Sequence, residues 1–150
     1  MKTSLRTHTC GELTEKNIDE KVTLYGWVDT SRDHGGLLFI DLRDRYGKTQ
    51  IVLSGTQPVG GGWQYNHGFK TEDCVGITGT VQKRPKGTEN SKLLTGMIEV
   101  IAEKVESRTE CNPTPFEITK SQDTNEELRM QYRYLDLRNP AVQKNLFIRD

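Results

Sequence analysis

The 150-residue chain carries 21 basic and 21 acidic side chains and has no net charge, with 33% of its residues hydrophobic. This is room for one domain, or one domain and part of another. The charge balance excludes a protein that grips polyanions with its whole surface, so any hold on phosphates has to come from a local patch.

Cys10, Cys74 and Cys111 are odd in number and far apart, outside any CxxC or Cys/His cluster. That argues against a disulfide framework and against a zinc site. No apolar run follows Lys2 and Arg6, and no window approaches the ~20 apolar residues of a membrane span. The expectation is a cytoplasmic chain with reduced thiols and no membrane partner.

The first twenty residues are polar, with a short helical turn predicted near residues 14–19. A first strand is predicted over 22–32. Val22, Leu24, Gly26 and Val28 form one row and Thr23, Tyr25, Trp27 and Asp29 the other. Gly26 inside this run signals a bend, a bulge or a close backbone approach, and Trp27 beside it reads as a ring buried for structure. His34-Gly35-Gly36 turns the chain into a second strand. There Leu38, Ile40 and Leu42 alternate with Leu37, Phe39, Asp41 and Arg43. The face holding Asp41 and Arg43 is expected to be wet, and Phe39 shares it. Asp44 to Gly47 is a short hairpin connection in which Gly47 is expected to supply a positive φ. In the third strand Thr49, Ile51 and Leu53 alternate with Gln50, Val52 and Ser54. A wet sheet face with an aromatic ring, an amide and arginines can stack a base and read its edge.

Residues 55–73 break the pattern with Pro58, three successive glycines, Trp63, Tyr65 and Phe69. A short helix is predicted over 63–70, with its aromatics covering one end of a barrel. A fourth strand starts near Cys74, a polar loop covers 85–94, and a fifth strand covers 96–105. Lys83, Arg84, Lys86 and Lys92 around Glu89 make this loop the candidate phosphate patch. The fold class is therefore all-β. The best match is a five-stranded OB-fold barrel with a short helix between the third and fourth strands, and the competitor is an SH3-like barrel, which needs less chain there. Residues 107–122, with Pro113 and Pro115, read as a linker. Thr124 is expected to cap a helix over 126–133 with Glu127 as its capping-box partner, and Asn139-Pro140 to open a second helix. The domain reading is 1–106 barrel, 107–122 hinge and 123–150 the start of a further domain.

Six segments carry a resemblance: THTCGEL (7–13), VTLYGWV (22–28), FIDLRDRYGKTQIV (39–52), TGTV (78–81), TGMIEV (95–100) and YRYLDLRNP (132–140). In this order they resemble the N-terminal region of bacterial-type aspartyl-tRNA synthetases. The resemblance implies that residues 1–106 bind the anticodon stem-loop of an aspartate tRNA, that 107–122 are a hinge, and that 123–150 begin a class II catalytic domain. It further implies that the residues using ATP and magnesium lie beyond Asp150. This chain would then hold no catalytic, cofactor-binding or metal residue and have no ligase activity. The parent would be a homodimer and the fragment a monomer.

By the same resemblance, Phe39 stacks on the middle anticodon base, a uridine, and Gln50 reads that base's edge. Arg32 lies near the first base, a guanosine, where a flat fork of donors suits the task. Arg84 and Glu99 approach the third and first bases, and Asn90 makes a further base contact. Each has a plainer alternative: Phe39 a core ring, Gln50 and Glu99 outward strand residues, Arg32 a surface charge, Arg84 part of a solvated basic loop, Asn90 a turn former. Thr30 and Ser31 stand where the family often has basic residues. The alternative functions are a sequence-indifferent single-strand binder with the same barrel and a barrel that binds only protein.

Overall fold

The computed structural model describes residues 5–55 and 68–149, the side chains of 107 and 108 excepted. Contacts divide the chain into two compact units, 1–111 and 112–150.

In the first unit, five strands form a closed barrel in the order β1-β2-β3-β5-β4. They are β1 (Lys21–His34), β2 (Leu37–Arg43), β3 (Lys48–Ser54), β4 (Cys74–Lys83) and β5 (Ile98–Thr109). All pairings are antiparallel except β3 with β5. The predicted OB-fold barrel is the fold observed. Side chains of period two fill its interior: Val22, Leu24 and Val28 from β1, Ile40 and Leu42 from β2, Ile51 and Leu53 from β3, all at 0% exposure. Each such burial stabilises by about 1.5–3 kcal/mol, so a one-residue slip of any strand would turn its whole apolar row outward.

Several local features depart from the sequence reading. β1 runs on to His34, because its outer half pairs with β2 through His34↔Leu37. Asp29 is the extra residue of a bulge between Val28 and Thr30. Gly26 is a close approach, as expected: a Cβ there would lie 2.5 Å from the Arg43 carbonyl oxygen. Gly47 does not take a positive φ. It is needed because a Cβ would lie 2.6 Å from Gly11 Cα. The turn geometry comes instead from Asp44, whose Oδ1 accepts from the Tyr46 and Gly47 amides at 2.7 and 3.0 Å. The helix predicted over 63–70 falls mostly outside the described residues, and 68–70 are not helical. Phe69 is buried in the barrel core.

Arg43, expected on the wet face, is buried. Its Nε donates to Asp29 Oδ1 at 3.0 Å, its Nη2 donates to Glu72, and its guanidinium lies over the half-buried Trp27 ring, 5.9 Å from the centroid. The bulge at Asp29 brings the carboxylate to it, and Lys48 Nζ shares that carboxylate at 2.6 Å.

β5 continues to Thr109, beyond the Val105 at which the sequence pattern fades. In the second unit, a 3-10 turn (Ile118–Asp123) precedes α1 (Glu126–Gln131), α2 (Arg133–Asp136) and α3 (Pro140–Arg149). Asn125, not Thr124, caps α1, its side chain accepting from the Glu127 amide at 2.9 Å. Thr124 instead ends the preceding turn. Asn139 caps α3 as expected, accepting from the Ala141 amide at 2.9 Å. Asp136 is fully buried and accepts from Ser121, Arg129 and Arg133. Burial pushes its carboxyl up, and those three donors together outweigh it and hold the carboxyl below the ordinary value.

Candidate nucleic-acid interface

The β2–β3 hairpin presents its outer face between the end of β1 and the loop that follows β4. Phe39 stands opposite Arg32 on β1 and Val52 on β3, and Asp41 opposite Gln50. Leu38 and Ile40, on either side of Phe39, fill the core at 5% and 0% exposure. Phe39 itself is half-buried on the outer wall. Period two therefore dictates a ring outside the barrel, and the His34 ring meets it edge-on, 5.8 Å between centroids.

Phe39 and Gln50 border an open groove of about 500 Å³ shared with Arg32, Asp41, Arg84 and Asn90. A second, more apolar hollow adjoins it, bordered by Phe39 and Gln50 again and by Val52, Pro85, Glu99 and Ile101. All six residues singled out from the sequence thus converge on one surface. Arg32 is the exposed one, and its Nη2 pairs with Asp41 Oδ2 at 3.2 Å. Thr30 Oγ1 donates to the same oxygen at 2.6 Å, so Asp41 is held from two sides.

Gln50 was expected on a wet face. It is on the outer face, yet only 7% exposed, like Glu99. Gln50 Nε2 donates to Glu99 Oε2 at 2.9 Å. The cause is tertiary: the parallel β3–β5 pairing sets the two side chains abreast. Arg84 is 5% exposed. Its Nε donates to the Ile98 carbonyl at 2.9 Å and its Nη1 to the Thr88 carbonyl at 3.3 Å, which ties the loop to β5. Its Nη2 is buried with no hydrogen-bond partner among the described residues. Burial lowers the pKa of this guanidinium, and the nearby Glu99 and Asp41 carboxylates offset part of that. A buried donor left without an acceptor costs free energy.

The loop is ordered by its own bonds. The Asn90 amide donates to the Gly96 carbonyl at 3.0 Å, and Asn90 Oδ1 accepts from the Lys92 amide at 3.1 Å. Thr95 Oγ1 donates to the Lys48 carbonyl and anchors the loop to β3. Asn90 Nδ2 has no hydrogen-bond partner among the described residues. Of the expected basic patch only Arg84 lines the groove: Lys83 turns to Glu15 at 3.0 Å, and Lys86 and Lys92 are exposed outside its lining. Thr88 and Leu93, which do line it, were not singled out, since a loop's path carries no periodic signal. Asp41 was placed on this face by period two, but its pairing with Arg32 was not foreseen.

The family described as an OB-fold nucleic acid binding domain, whose family name is tRNA anti-codon, matches residues 22–108. The Aspartate--tRNA(Asp/Asn) ligase of Thermotoga neapolitana is 46% identical over 145 residues, 97% of this chain and 24% of that protein. The ligase of the same name from Moorella thermoacetica is 46% identical over 144 residues, 96% of this chain and 24% of that protein. Among solved structures, an asparaginyl-tRNA synthetase from Pyrococcus horikoshii superposes with a TM-score of 0.69 at 25% identity, covering 91% of this chain and 30% of its own. An aspartyl tRNA synthetase from Entamoeba histolytica gives 0.73 at 20% identity, covering 94% and 34%, a likeness of fold alone. The chain spans about a quarter of the length of the curated relatives it matches.

Proposed function

The chain belongs to the family of OB-fold nucleic acid binding domains, and we propose that its groove takes the unpaired bases of an aspartate tRNA anticodon loop. The observation that carries this reading is the pair Phe39 and Gln50, a ring and an amide side by side on the outer wall and bordering the same groove. Single-stranded RNA is read by splaying bases onto aromatic rings and hydrogen-bonding their edges. Phe39 supplies the stacking face for the middle base, a uridine. The Gln50 amide supplies both a donor and an acceptor for its edge. Arg32, at the exposed rim of the groove, is assigned to the first base, a guanosine, where its flat fork of donors suits the task. Arg84, which lines the groove, is assigned to the third base, and Asn90, which lines it too, to a further base contact.

The whole protein is proposed to be an aspartate–tRNA ligase that uses ATP and magnesium in a class II catalytic domain and works as a cytoplasmic homodimer. This chain is proposed to have no ligase activity by itself. Within it, residues 1–106 are assigned to anticodon binding, 107–122 to the hinge and 123–150 to the lead into the catalytic part.

Titration with an aspartate anticodon stem-loop, and with the same stem carrying another anticodon, tests the reading. The expected result is a clear preference for the first. Equal affinity for both would make the barrel a sequence-indifferent binder, and no RNA binding even at low salt would leave it a protein-binding module.

A further inference from the structure

Gln50 and Glu99 sit one step before the Ile51↔Val100 rung of the parallel β3–β5 pair. Their side chains leave neighbouring strands on the same outer face, and both are only 7% exposed. The 2.9 Å contact between Gln50 Nε2 and Glu99 Oε2 has a chemical consequence. A glutamine amide alone is ambivalent, because rotation about its last bond exchanges donor and acceptor. A carboxylate only accepts, so a glutamine beside it has to turn its nitrogen that way. Gln50 Oε1 then has no hydrogen-bond partner among the described residues, and it is not one of the buried orphaned atoms. Gln50 lines the groove that Phe39 borders, so Oε1 and the second Nε2 hydrogen are the parts of the amide left to meet a base there.

We propose that Glu99 is a positioning residue that locks the Gln50 amide in one orientation, so that the groove selects a base offering an imino N–H next to a carbonyl. Uracil and guanine present that pattern. Cytosine and adenine present a ring-nitrogen acceptor next to an amino group, and the locked amide meets them acceptor to acceptor. This rests on the reading of the groove as a base-reading site, and it adds a reason why a glutamine there tells uridine from cytidine. An unpaired acceptor facing an acceptor is the kind of mismatch that a site built for hydrogen bonding rejects most strongly.

The experiment is a double-mutant cycle on the full chain, titrated with two RNA stem-loops that differ only in the middle loop base, uridine or cytidine. Glu99→Gln keeps the size and replaces the obligate acceptor with a group that tolerates either amide orientation. The wild-type chain prefers uridine, and Glu99→Gln lowers the uridine-to-cytidine affinity ratio at least about fivefold, mostly by a gain for cytidine. In a Gln50→Ala background the same change leaves the ratio as it was, since no amide remains to be oriented. A Glu99→Gln ratio equal to wild type overturns the positioning role, and so does an equal drop in the Gln50→Ala background. A wild-type chain that binds neither stem-loop, or both equally, overturns the base-reading function along with it. A wild-type preference that survives Glu99→Gln overturns the positioning role alone. Glu99→Asp, which keeps an acceptor-only group, provides the rescue arm: it retains more of the ratio than Glu99→Gln does.

Discussion

Truncating Phe39 to alanine separates binding from folding at a single position. The ring lies on the outer wall, half-buried, and its aromatic neighbour is His34, edge-on at 5.8 Å. A base–aromatic stack is worth about 1–3 kcal/mol, so losing one should weaken anticodon stem-loop binding roughly 5–150-fold. The fold should lose far less than from a core truncation, since the edge contact with His34 is worth about 0.5–1.5 kcal/mol. The adjacent Ile40 gives the opposite pattern: fully buried, its truncation to alanine should cost about 2–5 kcal/mol of stability while leaving the affinity of the folded fraction intact. Fluorescence-anisotropy titration of labelled stem-loop and thermal unfolding, measured on both variants, read the two quantities. An unchanged affinity for Phe39→Ala refutes the argument, as does a stability loss as large as that of Ile40→Ala.

Gln50→Ala should relax discrimination at the middle base more than it lowers total affinity, measured with stem-loops carrying each of the four bases there. Arg84→Ala should remove the donors on the Ile98 and Thr88 carbonyls and lower stability by about 1–3 kcal/mol, with faster hydrogen exchange confined to the loop that follows β4. Binding should show a shallow salt dependence. With no net charge and Lys86 and Lys92 outside the groove lining, a log–log slope no steeper than about −2 is expected, against about −0.7 per phosphate contact for a chain that grips many. In the second unit, Asp136 is held ionised by Ser121, Arg129 and Arg133 against its own burial. Its folded value lies below its unfolded one, so the stabilisation is present above the ordinary value of 3.8 and is lost as pH falls below it. Asp136→Asn should flatten that acid dependence in a urea titration.

The barrel was legible because both strand rows obey period two and because glycine marks the places where strands crowd, as at Gly26. The same alternation put Phe39 outside with Leu38 and Ile40 inside. What it could not reach was set by distant partners. Arg43 reads as a wet-face charge until the bulge at Asp29 and the segment holding Glu72 close over it. Gln50 and Glu99 read as outward polar residues, and only the β3–β5 pairing, between strands far apart in the chain, sets them abreast and covers them. Gly47 illustrates a wrong reason for a correct turn: its glycine is required by contact with Gly11, not by φ. The capping signal was misplaced by one residue because Thr124 and Asn125 are both good caps, and the preceding 3-10 turn uses up Thr124.

The location of bound RNA is most directly read by two-dimensional NMR of the labelled full chain titrated with an aspartate anticodon stem-loop. Gln50's side-chain NH₂ signals and the backbone amides of Phe39, Glu99 and Asn90 should move first and furthest. Shifts centred instead on the opposite wall, around Thr23, Tyr25 and Thr78, with Gln50 unmoved, would contradict the claim that this groove receives the bases.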